Sequence, residues 1–256
     1  MTEKHQNSKC QCKRARSAIG RSLDIYYRDT ARTERMDALN ATFVKEDDLV
    51  FDIGAHVGDR TGSFARLGAR VVALEPQPQV FRALQLIHGR DDRIKLTRSA
   101  VGIGEGVIKM HVNTTNPTIS TASPDLITAA QTAQEWDGQV WDRLITVPLT
   151  TLDKLIEEHG KPDFVKIDVE GFELAVLEGL SVRLGALSFE FTTIQRDVAY
   201  ACLSRLQELG SYRFNVSLGE NHELELQEWV DAEAMRAYLA ALPMAANSGD
   251  IFARMV

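Results

Sequence analysis

Seven short apolar runs recur along this chain, separated by stretches whose apolar residues fall at helical spacing, and that alternation constrains the fold more than any other feature. The runs are LVFDIG (49–54), RVVALEP (70–76), IKLTRSAV (94–101), DFVKIDVEG (163–171), ALSFEFTT (186–193), YRFNVSL (212–218) and GDIFARM (249–255). Helical patterns lie between or beside them: DRTGSFARLG, PQVFRALQLIHG, TLDKLIEEHG, FELAVLEGL, DVAYACLSRLQELG and LQEWVDAEAMRAYLAAL. Several close on glycine, as helix C-termini do. Near-continuous apolar strands alternating with helices predict an α/β fold, a mostly parallel sheet with helices on both faces. A length of 256 residues suits one such domain.

One region breaks the alternation. GVIKMHVN (106–113) and RLITVPLTTL (143–152) are expected to be extra strands, with about thirty irregular residues between them. In open α/β sheets ligands bind beyond the carboxyl ends of the strands, so the insertion 113–143 is expected to cover the substrate side. At the other end, residues 1–20 form a leader and 21–48 a helical segment, which places the domain at 49–256.

Charge and cysteine usage exclude several classes. Residues 1–35 hold nine Lys/Arg against four Asp/Glu, or +5, so the net −7 leaves −12 on the remainder. An acidic body argues against a broad nucleic-acid surface, and the basic leader reads as a solvated arm. Cys10, Cys12 and Cys202 are too few and too badly spaced for a disulfide framework or a zinc site, which suits a reducing cytoplasm. No apolar run reaches the roughly 20 residues of a membrane span, and no apolar core follows the basic N-terminus.

The candidate site begins at Asp52-Ile53-Gly54-Ala55-His56-Val57-Gly58, a D-x-G-x-x-x-G turn from strand to helix. The dinucleotide fingerprint G-x-G-x-x-G and the P-loop both fail here. A carboxylate is wrong for pyrophosphate and suits an ammonium group. Glu75 ends the next run 23 residues after Asp52, where an acidic residue accepts hydrogen bonds from ribose hydroxyls. Ribose, an amino-acid end and no phosphate together describe S-adenosylmethionine. Ser99 and Ala100, after the third run, are placed to edge its adenine ring. Asp168 ends the fourth run, where a buried carboxylate is costly without a partner, although capping the helix near Phe172 is an alternative role for it. The expected cofactor contacts are therefore Asp52, Gly54, Ala55, His56, Gly58, Glu75, Pro76, Ser99, Ala100 and Asp168. Asp168, Glu170 and His56 are the leading catalytic candidates, with Glu190 behind them. Lys166 is assigned no role and no metal is expected, although Asp168 could alternatively coordinate a divalent cation that orients a diol.

FDIGAHVGDRT, VVALEPQPQVFRALQ, LTRSAVG, TTLDKLI and DFVKIDVEGFELAVLEGL together resemble the FkbM-type S-adenosylmethionine-dependent methyltransferases, from about Leu49 to Val256. The resemblance implies a class I, Rossmann-like sheet of seven strands with the last antiparallel. It also implies O-methylation of a sugar, polyketide or other small hydroxyl-bearing metabolite, with no nucleic-acid or membrane partner. His56 stands where the family resembles GAN. The N/D-P-P-Y/F pattern of amino-group methyltransferases is absent after the fourth run. A nicotinamide oxidoreductase on the same fold, or a non-catalytic cofactor-binding protein, remain the alternatives.

Overall fold

A computed structural model describes residues 18–256. Ten strands are present: β1 Leu49–Ile53, β2 Arg70–Leu74, β3 Ile94–Thr97, β4 Ala100–Val101, β5 Gly106–Val112, β6 Arg143–Thr150, β7 Phe164–Ile167, β8 Ala186–Thr192, β9 Tyr212–Leu218 and β10 Ser248–Met255. Seven of them form one sheet in the order β3-β2-β1-β7-β8-β10-β9. All its pairings are parallel except those of β10, which runs antiparallel between β8 and β9. This is the class I methyltransferase sheet that the resemblance implied.

The helices are α1 over residues 18–28, α2 Thr30–Asn40, α3 Asp59–Arg66, α4 Pro78–His88, α5 Pro124–Ala130, α6 Leu152–His159, α7 Glu173–Glu178, α8 Arg196–Leu209 and α9 Ala232–Ala241. Successive side chains on a strand point to opposite faces, and this splits the core in two. Leu49, Phe51, Ile53, Val165 and Ile167 pack with Val176, Leu203 and Leu239 of α7, α8 and α9. Val50 and Phe164 pack on the other face with Leu39, Phe64 and Leu84 of α2, α3 and α4. Asp52 and Lys166 share the alternation of Val50 and Phe164, so both point toward α3, and they sit directly opposite each other in the β1–β7 register.

Four expectations need correction. The run 94–101 splits: Ile94–Thr97 joins the main sheet, while Ala100–Val101 pairs with β6 in a separate three-stranded sheet, order β4-β6-β5. The helical segment 21–48 is broken at Asp29, whose side chain accepts from the Arg32 N–H and starts α2, and helix ends at Asn40. The pattern 226–242 is helical only from Ala232, where Asp231 caps it through the Ala234 N–H. The insertion is not wholly irregular: α5, capped by Ser123, helps build a small apolar cluster of Leu126, Ala130 and Trp136 against Trp141, Ile119 and Ile194. Local apolar spacing cannot reveal these breaks, because a single capping Asp or Ser offers the backbone a competing hydrogen bond. Cys10 and Cys12 lie outside the described residues, and Cys202 is buried and free.

Candidate active site

A cleft of about 830 Å³, partly open to solvent, lies at the carboxyl ends of β1, β2 and β7. Ile53, Gly54, Ala55 and His56 form one wall, Glu75, Pro76 and Gln77 the next, and Ser99 and Ala100 a third. Asp168 and Glu170 stand at the far end.

Glu75 is 3% exposed. Its Oε2 accepts the His56 N–H at 3.1 Å and its Oε1 accepts the Gln77 N–H at 2.7 Å. Burial pushes the carboxyl up to about 7, against the pull of those backbone donors. Each oxygen retains a lone pair, so the group is fixed in place and still able to accept from a ligand's hydroxyls.

The turn is shaped by its glycines, for reasons other than the expected one. At Gly54, φ is +81° and an added Cβ would lie 1.8 Å from the Asp168 carbonyl oxygen, so the residue lets the ends of β1 and β7 touch. At Gly58, φ is +89° and a Cβ would collide with His88 and Leu84 of α4. Gly58 is not among the residues lining the cleft, and neither is Asp52. The alternation of β1 turns Asp52 beneath α3, where its Oδ2 accepts from the Thr61 hydroxyl at 2.5 Å. Asp52 thus braces the turn from behind.

His56 adopts φ +48°. Both ring nitrogens are buried, and among the described residues neither has a hydrogen-bond partner. Burial lowers its pKa to about 4, so the imidazole is neutral near pH 7 and a weak proton acceptor. Tyr26 of α1 packs edge-on to it at 5.8 Å and closes the cleft from above.

Lys166 Nζ donates to Asp168 Oδ2 at 2.7 Å, and the lysine side chain is 6% exposed against 32% for the aspartate. Burial works against the ammonium, but Asp168 and Asp52 hold its pKa above the ordinary lysine range. The capping alternative for Asp168 does not describe this turn: Glu173 Oε1 accepts the Val169 and Gly171 N–H groups, each at 3.1 Å. Glu170, at φ +55°, faces the cleft beside Asp168, and burial, then Asp168 and Glu173, push its carboxyl well above the usual range. Glu190 adjoins it from β8 in a neighbouring hollow lined also by Arg60, Asp168, Glu220, Ser248 and Asp250. Arg60 is held there by Asp59, Glu220 and Asp250.

Sequence reasoning passed over Lys166, Tyr26 and the insertion residues Thr118, Ser120 and Ala122, all of which line the cleft. Lys166 was detectable, because residues two apart on a strand share a face with each other. Nothing local marked the others. The Gln77 side chain donates to the Pro117 carbonyl at 3.0 Å, and the Thr121 hydroxyl donates to the Glu170 carbonyl at 2.6 Å. The insertion is therefore tied to both the Glu75 end and the Asp168 end of the cleft.

The profile of the Methyltransferase FkbM domain matches residues 52–243. Hexuronic acid methyltransferase AglP of Haloferax volcanii is 30% identical over 157 residues, which are 60% of this chain and 59% of that protein. The chain thus spans under two thirds of the length of that relative. Among solved structures, a TehB-like SAM-dependent methyltransferase from Corynebacterium glutamicum aligns over 92% of this chain and 94% of its own, at 10% identity and a TM-score of 0.47. Precorrin-6y C5,15-methyltransferase from Geobacter metallireducens aligns over 87% of both chains, at 14% identity and a TM-score of 0.45.

Proposed function

Because this chain belongs to the FkbM family of S-adenosylmethionine-dependent methyltransferases, we propose that it methylates a hydroxyl group, on a sugar or a similarly polyhydroxylated metabolite, and that the cleft at the strand ends is where it does so. The observation that carries this reading is the convergence of Glu75, His56 and the Asp168–Lys166 pair on one cleft at the carboxyl edge of the sheet.

The residues present fit the cofactor. Glu75 offers two fixed oxygens to a pair of ribose hydroxyls. Pro76, Ala100, Val101, Met110 and Phe172 supply apolar walls for a base. The unpartnered imidazole nitrogens of His56 need donors or acceptors that the described residues do not provide. Asp168 supplies negative charge suited to an ammonium or sulfonium group. When bound, S-adenosylmethionine supplies an electrophilic methyl group.

Everything else falls to the chain. Much of the acceleration comes from holding two reactants in register, which the rigid strand ends and the packed insertion are placed to do. Lys166 occupies Asp168 Oδ2, which leaves Oδ1 to orient an acceptor hydroxyl or take its proton, worth about 10²–10⁴-fold. Tyr26 above and Thr118, Ser120 and Ala122 beside the cleft keep water from it. The carboxylates and Ser248 of the adjoining hollow accept hydrogen bonds from several hydroxyls at once, which supports a polyol acceptor. The hexuronic acid named for the Haloferax volcanii relative supports a sugar.

Incubation with methyl-labelled S-adenosylmethionine and a panel of hexoses, hexuronic acids and hydroxylated polyketides tests the reading. The expected product is a methyl ether, identified by mass and by fragmentation. Label found only on nitrogen, or cofactor binding with no hydroxyl acceptor in the panel modified, would count against it.

A further inference from the structure

Between the cleft and the adjoining hollow lies a grouping of three carboxylates, of which the roles above single out Asp168 alone. Asp168 follows β7, Glu170 lies in the turn after it and Glu190 lies near the end of β8. One carboxylate oxygen from each lies within 4.8 Å of the other two. Glu190 Oε2 is shut off from solvent and has no hydrogen-bond partner among the described residues. Glu170 is 7% exposed, and among the described residues its carboxylate makes neither a hydrogen bond nor an ion pair. Two acidic side chains thus face each other with no donor between them.

That arrangement is expensive as it stands, because a buried carboxylate without a partner keeps the full cost of its lost hydration. The cation in contact with the group is Lys166, and it is engaged with Asp168 Oδ2. Arg60, nearby, is committed to Asp59, Glu220 and Asp250. Three carboxylates against one ammonium leave an excess of two negative charges, which one divalent cation would neutralise. The spacing suits such an ion. Oxygens on opposite sides of Mg²⁺ lie about 4.0–4.2 Å apart and on opposite sides of Ca²⁺ about 4.6–5.2 Å, twice the metal–oxygen bond, so the three oxygens need to draw in by at most a few tenths of an ångström to hold the smaller ion.

We propose that Asp168, Glu170 and Glu190 form a binding site for a hard divalent cation of the Mg²⁺/Mn²⁺ class. The three donors are all carboxylate oxygens, with no imidazole or thiolate among them, a set that favours Mg²⁺, Mn²⁺ or Ca²⁺ over Zn²⁺. Asp168 contributes Oδ1, since Oδ2 is held by Lys166, and with an ion bound that oxygen orients an acceptor hydroxyl through the ion's shell and no longer takes its proton. Three carboxylates do not fill six positions, and the rest open toward the cleft, where water or neighbouring hydroxyls of an acceptor can complete the shell.

The proposal does not rest on the acceptor assignment, and its test needs neither cofactor nor acceptor. Metal-free full-length protein is titrated with Mn²⁺, and the free ion is read by electron paramagnetic resonance. The expected result is one site, emptied by excess Mg²⁺ and weakened at least about tenfold by Glu170→Gln and by Glu190→Gln, with Glu157→Gln on the surface of α6 unchanged. Circular dichroism checks that each variant is folded; if one of the pair unfolds, the other and Asp168→Asn report on the same site. Retention of wild-type affinity in the folded variants would place the ion elsewhere and overturn the proposal. So would the absence of Mn²⁺ binding by the wild type up to about 1 mM, the weak end of carboxylate sites, since the two glutamates would then share a proton in place of a metal.

Discussion

The proposed role of Glu75 at the cofactor ribose would make binding a proton-linked event, with a pH dependence set by the burial of that carboxyl. Its carboxyl is held at about 7 by burial, against 4.5 in an unfolded chain. Because the folded-state value is the higher one, this group's contribution to the stability of the free protein is greatest at low pH. It loses about 3 kcal/mol as pH rises from below 4.5 through 7 and the buried group ionises. In the proposed complex, ribose hydroxyls would donate to the ionised form and favour it. Binding should therefore release a proton below pH 7, and affinity should fall about tenfold for each pH unit below that point, reaching a plateau just above it.

Isothermal titration with S-adenosylhomocysteine at pH 5.5, 6.0, 6.5 and 7.5 measures both quantities, when repeated in two buffers of different ionisation enthalpy to count protons. Glu75→Gln keeps the shape and removes the titration, so its affinity should be flat over this range. Glu75→Ala should weaken binding at pH 7.5 by roughly 1.5–3 kcal/mol, the loss of hydrogen bonds to a charged acceptor. An affinity independent of pH in the wild type, or unchanged in a folded Glu75→Ala variant, would refute the assignment of Glu75 to the ribose.

Asp168→Asn keeps the shape and loses the charge, and should lower turnover at least about 10²-fold at matched thermal stability, measured by labelled-methyl transfer. Gly54→Ala forces a Cβ toward the Asp168 carbonyl at positive φ and should cost at least about 3 kcal/mol in urea denaturation. Lys166→Met strips the buried partner from Asp168 and should destabilise by about 3–5 kcal/mol, read as a fall in melting temperature. Replacing 113–143 with a short Gly/Ser turn should abolish turnover, and because Pro117 and Thr118 reach the Glu75 end it should weaken cofactor titration as well.

The order of strands and helices was legible because burial on both faces of a parallel sheet leaves unbroken apolar runs, and each helix carries its own periodicity. Glu75 and Asp168 were legible as candidates, and both line the cleft, for a related reason: a carboxylate ending such a run stands out against its surroundings. Other features depend on neighbours distant in sequence. Asp52 carries the same strand-end signal as Glu75, yet it faces α3 and Thr61, because the parity of a residue on its strand decides which face it meets. Gly54 and Gly58 read as ligand-approach glycines, but the atoms that require them belong to Asp168 and His88. Tyr26 comes from a helix that the sequence joins to the site by no motif, and only the packing of α1 over His56 brings it there. The convergence of Glu190 with Glu170 needs β8 to lie beside β7. Local pattern thus determined the elements and the carboxylates at their ends, while sheet order and strand parity decided which of those groups meet, since contact depends on direction in space and not on distance along the chain.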